Sequence, residues 1–190
     1  LVRGDDNEIF VGGVANEEDF TFTGSGRRLD VEDLDDDATV ILQNFTVEDL
    51  DLFIAAGVDT ENSVLNLTLN NVVIGDQVTD PVGLDTDNGT QRFETVNLLV
   101  EGTVASFVDA EGLYSNGTVM LTGAQNITFA DLNGSLNASA YTGDLTVVSA
   151  TSTVAAFIAG TGDDNVTFGS GATKLVFGAN LNDSDTVDGG

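Results

Sequence analysis

Apolar and polar residues are arranged differently in the two halves of the chain. In the first half, three stretches alternate between them: 38–45 (ATVILQNF), 63–74 (SVLNLTLNNVVI) and 92–102 (RFETVNLLVEG). A period of two predicts strands with one face inward. Residues 47–53 predict a single helical turn instead, because Thr46 followed by Glu48 and Asp49 looks like an N-cap with an acidic first turn. From about Gly117 the beat shortens. Pieces such as NITFADL, SLNASAY, DLTVVSA and DNVTFGSG alternate with the turn formers Gly, Asn, Asp and Ser. Their first apolar residues, Ile127, Leu136, Leu145 and Val154, are spaced by nine. Val166, Leu175 and Val187 follow after twelve, nine and twelve.

A nine-residue strand and turn cannot bury its apolar face alone. Stacked coils place each inward residue on its counterpart in the next coil, so the core becomes continuous. The expected fold is all-β: a right-handed parallel β-solenoid (β-helix or β-roll) over 92–190. Residues 1–91 read as an irregular, loop-rich β region continuous with it, with acidic loops at Asp5-Asp6, 17–19, 30–37 and 85–88. An antiparallel sandwich is the alternative, and the equal nine-residue steps argue against it. The phrase VEDLD occurs at 31–35 and 47–51 and reads as coincidence rather than repeat. No Pro- or Gly/Ser-rich linker separates two domains. The chain starts at Leu1 without a visible signal peptide and reads as a piece of a longer protein.

Composition narrows the chemistry. Among 190 residues there are 32 acidic and 5 basic side chains, giving a net charge of −27, with no His and no Cys. This removes disulfides, thiol nucleophiles, zinc knuckles and His-based catalytic triads. The charge repels phosphate backbones and anionic lipid, so no nucleic acid partner and no membrane insertion are expected. Hydrophobic residues at 41% exceed what a disordered acidic tail carries. Hard oxygen ligation remains, which suits Ca2+.

The region 159–176 (AGTGDDNVTFGSGATKLV) resembles the calcium-binding nonapeptides of RTX proteins, G-G-x-G-x-D-x-U-x. Gly160, Gly162, Asp164 and Val166 fall on positions two, four, six and eight, and Ala159 replaces the first Gly. The next unit has Thr173 where Asp is expected, while Asp185 returns to position six ahead of Val187. Asp164 and Asp185 should therefore lie in one column on adjacent coils, where a bridging cation would turn repulsion into cohesion. Gly160, Gly162, Asp163, Asp164, Asp183, Asp185 and Asp188 form the candidate metal set. A second is Asp5 and Asp6, whose GDDNEI echoes the GDDNV of 162–166. Units with Gln125, Gly134, Gly143 and Ser152 at position six lack the carboxylate; Asp131 and Asp144 are single candidates.

More broadly, FETVNL, NASAYTGDLTV and GTGDDNVTFG resemble phrases of calcium-dependent bacterial surface-layer (S-layer) proteins. That resemblance implies secretion to the cell surface, calcium-triggered folding and self-association into a lattice or filament, with cell-surface polysaccharide as a possible partner and no enzymatic activity. Two alternatives stand beside it. One is an adhesin or extracellular filament subunit that binds through its N-terminal loops. The other is a polysaccharide-active enzyme, which would need a carboxylate pair in an aromatic-lined groove. Nine N-x-S/T sequons begin at Asn44, Asn66, Asn88, Asn116, Asn126, Asn133, Asn137, Asn165 and Asn182. The acidity has a rival explanation in a high-salt habitat.

Overall fold

A computed structural model describes residues 8–11, 19–56, 62–75, 83–150, 156–169, 174–177 and 180–189. These residues form strands and turns and contain no helix. The strands are β1 (Glu8–Val11), β2 (Asp19–Leu34), β3 (Ala38–Ile54), β4 (Val64–Ile74), β5 (Leu84–Asp85), β6 (Thr95–Glu101), β7 (Ser106–Asp109) and β8 (Thr118–Gly123). They continue with β9 (Ile127–Ala130), β10 (Ser135–Tyr141), β11 (Leu145–Ala150), β12 (Ala156–Ile158), β13 (Asp164–Phe168), β14 (Lys174–Val176) and β15 (Thr186–Asp188). Every pairing between strands is parallel.

Eleven strands form a continuous path, β14-β12-β10-β8-β6-β4-β7-β9-β11-β13-β15. The sheet folds back at β4 because that strand serves two walls. Residues 64–70 pair with β6, and Val73 and Ile74 pair with β7. Between them Asn71 adopts φ 57°, a left-handed corner that Asn tolerates. Asn44 makes the same corner in β3 at φ 48° and accepts a 2.9 Å hydrogen bond from Asn71 Nδ2. Even-numbered strands β6 to β14 therefore build one wall and odd-numbered strands β7 to β15 the other, a β-solenoid-like, all-parallel architecture. In the first coils a third wall is present, where Leu29–Val31 of β2, Leu50–Leu52 of β3 and β5 stack before a last bridge from Asp85 to Gly112.

Alternation along the strands explains the core. In β6 the inward residues Val96, Leu98 and Val100 are buried while Asn97, Leu99 and Glu101 are exposed. On the second wall Val47, Ile74, Val108, Phe129, Val147 and Val166 form one unbroken inward ladder. On the first wall Ala38, Leu65, Val96, Val119, Leu136 and Phe157 do the same. The walls meet where Phe157 packs edge-on against Phe168, with ring centroids 5.6 Å apart. Each buried Leu or Phe contributes roughly 1.5–3 kcal/mol of transfer free energy, so the stack is held mainly by contacts between coils.

Four sequence expectations are corrected. Residues 47–53 are strand, not a helical turn: Leu50, Leu52 and Ile54 alternate inward, and burial of that face outweighs the local capping signal. Asp30 to Leu34 belongs to β2 rather than to an acidic loop. Leu136 stacks on Phe157, so the coil is three residues longer than the step to Val154 implies. Val166 stacks on Val147, while Leu145 stacks on Asp164. The two VEDLD phrases are out of phase, since Val31 pairs with Leu52 and Val47 with Gly26.

Candidate functional site

The turn before β13 folds tightly because Gly162 lies against the backbone of Gly143, where any side chain would collide. The inward position that opens β13 is taken by Asp164, on the ladder that runs through Ser106, Ile127 and Leu145. Its residue is 1% exposed. Oδ2 accepts a 3.1 Å hydrogen bond from the Gly160 amide, while Oδ1 has no hydrogen-bond partner. Burial pushes the Asp164 carboxyl up to about 6, and the neighbouring charge of Asp185 adds to the shift.

Asp185 lies beside it, as the unit count requires. The Asp164 amide donates to Asp185 Oδ1 at 3.0 Å, and the following residues pair Asn165 with Thr186 and Val166 with Val187. Asp185 is braced by Asn182, whose amide donates to Oδ2 at 2.7 Å. One coil below, Asp144 accepts the Asp163 amide through Oδ1 at 3.1 Å and the Asn126 side-chain amide through Oδ2 at 2.9 Å. The ring hydroxyl of Tyr141 donates to the Gln125 carbonyl, and burial followed by the charges of Asp144 and Asp164 raises its pKa. Asp163, Asp183 and Asp188 are exposed. Asp5 and Asp6 lie outside the described residues. Among the described residues no group of three or more acidic side chains converges on one metal position.

A second cluster occupies the outer face of the third wall, where the sequence reading placed acidic loops at 30–37 and 85–88 and a helical turn at 47–53. Asp30, Asp51 and Asp85 follow one another on adjacent coils. Asp30 and Asp51 are each 4% exposed. Arg28 holds them, with Nε 2.6 Å from Asp30 Oδ1 and Nη2 on Asp51 Oδ2, and it also lies 3.4 Å from Asp49. Burial alone would lower the Arg28 pKa, but the bonds to Asp51 and Asp30 raise it. Burial and the Asp51 contact hold Asp30 above the usual carboxylate range, and burial does the same for Asp49. Asp85 is pushed up to about 6 by burial and by the charges of Asp51 and Asp87, against the Asp87 amide at 2.8 Å. Arg28, Asp49, Asp51, Phe53, Gly83, Asp85 and Gly112 line an open groove of about 290 Å³.

Comparison with known protein families, with curated proteins and with solved structures finds no match. The two clusters must therefore be judged by their own chemistry. Both offer hard oxygen donors. Only the C-terminal one carries a buried oxygen with nothing bound to it. Each member of the third-wall ladder follows a Leu, at 29–30, 50–51 and 84–85, but Leu34-Asp35 does so too, and the sequence alone does not set it apart.

Proposed function

We propose that the chain is a segment of a non-enzymatic extracellular structural protein, a right-handed parallel β-solenoid stabilised by Ca2+ and self-associating into a surface layer or filament. One observation carries this reading: Asp164 is buried with its Oδ1 lacking a hydrogen-bond partner, while its amide is held by the carboxylate of Asp185 on the next coil. An uncompensated buried charge is costly, and a hard divalent cation is its natural partner. Asp164 and Asp185 would supply the charged ligands, with backbone carbonyls of the Gly160–Gly162 turn and water completing the shell. A bound ion would neutralise them and fix the turn. Extracellular calcium sites of this modest charge typically have Kd of about 10⁻⁴–10⁻³ M. Right-handedness follows the strong preference of parallel strand crossovers. Self-association is supported by exposed Leu99, Met120 and Val148 on the flanks.

The test is thermal unfolding followed by circular dichroism in chelator, in millimolar CaCl2 and in molar NaCl. At ~100-fold excess over Kd a site adds about 2.7 kcal/mol. An upward shift in Tm with calcium alone supports the reading; rescue only by molar NaCl means a halophile surface instead.

A second reading, a binding module, is favoured by the third-wall groove. Its charged rim, glycine floor and Phe53 suit a polar oligosaccharide. Titrating neutral and amino-sugar oligosaccharides while following Phe53-region amide shifts by NMR tests it, and no shift up to millimolar ligand removes it.

A further inference from the structure

Three Asn-Gly steps occur in the chain, at 88–89, 116–117 and 133–134, and each opens a sequon. A Gly amide has no side chain to shield it, so it can attack the carboxamide of the preceding Asn where the surroundings assist. The three steps are built differently. Asn133 is pinned: its Nδ2 donates to the Leu113 and Glu111 carbonyls at 2.9 and 3.3 Å, and Gly134 is buried against the carbonyls of Tyr114 and Gly117. Gly117 is buried too, and its amide donates at 2.8 Å to the Tyr114 carbonyl, which is no base. Gly89 is exposed at the tip of the hairpin closed by the pairing of Asp87 with Arg92, and a side chain there would meet nothing within 4 Å.

Around Asn88 the groups that such an attack needs are assembled. The Gly89 amide donates to Asp87 Oδ1 at 2.8 Å, so a carboxylate stands in place to take its proton. Asp87 is itself held by its own amide, which donates to Asp85 Oδ1 at 2.8 Å. Asn88 Oδ1 accepts three hydrogen bonds, from the Gln91 amide at 2.9 Å, Thr90 Oγ1 at 3.0 Å and the Thr90 amide at 3.1 Å. Three donors on one carboxamide oxygen polarise its carbon and stabilise negative charge that develops on the oxygen. Asn88 Nδ2 donates to Gln91 Oε1 at 2.9 Å, which orients the nitrogen that must leave.

We propose that Asn88-Gly89 is a self-modifying site, at which the folded chain converts Asn88 to a succinimide and then, with water, to aspartate or isoaspartate. Asp87 takes the Gly89 amide proton as the bond from Gly89 N to Asn88 Cγ forms and the carbonyl electron pair moves onto Oδ1. When that pair returns, the Cγ–Nδ2 bond breaks, and Nδ2 leaves as ammonia with the proton carried by Asp87. Water then opens the ring at either carbonyl. The site is independent of the calcium reading. Asn88 and Gln91 share a pocket of about 100 Å³ with Glu32, Asp33 and Phe53, so the product adds an anion beside two existing acids. Isoaspartate also routes the main chain through the former side chain, which breaks the register between Asp87 and Arg92. The age of a molecule is thereby written into its third-wall hairpin.

The test is to incubate the full chain, produced without glycosylation, at neutral pH. Peptide mapping by mass spectrometry then follows conversion at each Asn-Gly step, and labelling by an isoaspartyl methyltransferase marks the isoaspartate. Asn88 should convert at least about tenfold faster than Asn116 and Asn133, and faster in the folded chain than in concentrated urea, where the three rates should converge. Asp87→Ser keeps an acceptor for the Gly89 amide but no base, and should slow Asn88 roughly tenfold. Thr90→Val removes one donor from Oδ1 and should slow it severalfold. Conversion at Asn88 that is no faster folded than in urea, or no faster than at the other two steps, overturns the proposal. So does fast conversion that survives both substitutions, because the neighbouring groups then play no part.

Discussion

Arg28 reaches across one coil to Asp51 while its Nε stays on Asp30, so one guanidinium bridges two carboxylates on neighbouring turns of the third wall. The pair is asymmetric in exposure: the arginine side chain is partly open and the aspartates are nearly closed off. Arg28→Met would leave two sheltered carboxylates without their cation. Removing one partner of a buried pair costs about 3–5 kcal/mol, and the exposure of Arg28 puts this case at the lower end. Urea denaturation at pH 7 should show the loss. A variant as stable as the wild type would mean the aspartates are already neutral or solvated.

Stability should rise as pH falls from 7 toward 5. Asp85 holds its proton to about 6 in the folded chain, whereas an unfolded aspartate releases it near 3.9. Between those values the folded state binds more protons, so acidification favours it. Asp30 and Asp49 are shifted in the same direction. Each kcal/mol gained moves Tm by about 2–4 °C in a chain of this length. Melting curves at pH 7, 6 and 5 measure the slope, which Asp85→Asn should flatten. A wild-type Tm that falls steadily with acid contradicts the burial of these groups.

Gly162→Ala should loosen the end of the stack. The added Cβ would run into the Gly143 carbonyl and the Asp144 amide, both of them backbone that cannot swing away. Forcing the coils apart there costs about 1–3 kcal/mol. Amide exchange at 164–168 should accelerate while 95–101 keeps its protection. Equal protection in both segments would show that the turn has room to spare.

The core ladders should respond unequally to truncation on their two sides. Leu98, buried between Leu67 and Leu121, should cost about 2–5 kcal/mol as Leu98→Ala. Met120 points outward at 37% exposure, and Met120→Ala should stay within about 0.5 kcal/mol. Chemical denaturation of the two variants checks the inward–outward assignment directly. Similar losses in both would place Met120 in a contact with another copy.

How much of this was readable beforehand depended on coil length. Where Ile127 and Leu145 are one coil apart at twice nine residues, the beat in the sequence is the beat in the structure. Where the partner of Leu136 comes 21 residues on instead of twice nine, Phe157 and not Val154 meets it, and counting alone slips. Asp164 was legible because Gly160 and Gly162 fix the phase of its unit, and Asp185 because it stands two residues before its apolar marker Val187 as Asp164 stands before Val166. The ladder of Asp30, Asp51 and Asp85 was not, because its members are 21 and 34 residues apart. No constant period links them, and only the pairing of β2, β3 and β5 reveals the column. The supposed helical turn failed for a related reason: a capping signal is worth about 1 kcal/mol, and three inward residues stacked on preformed coils outweigh it.

The loss of the third wall after Gly112 gives the rod a front and a back. Beyond the bridge between Asp85 and Gly112 the outline has one wall fewer, so a molecule lying along the flank would meet a ledge at that level rather than an even side.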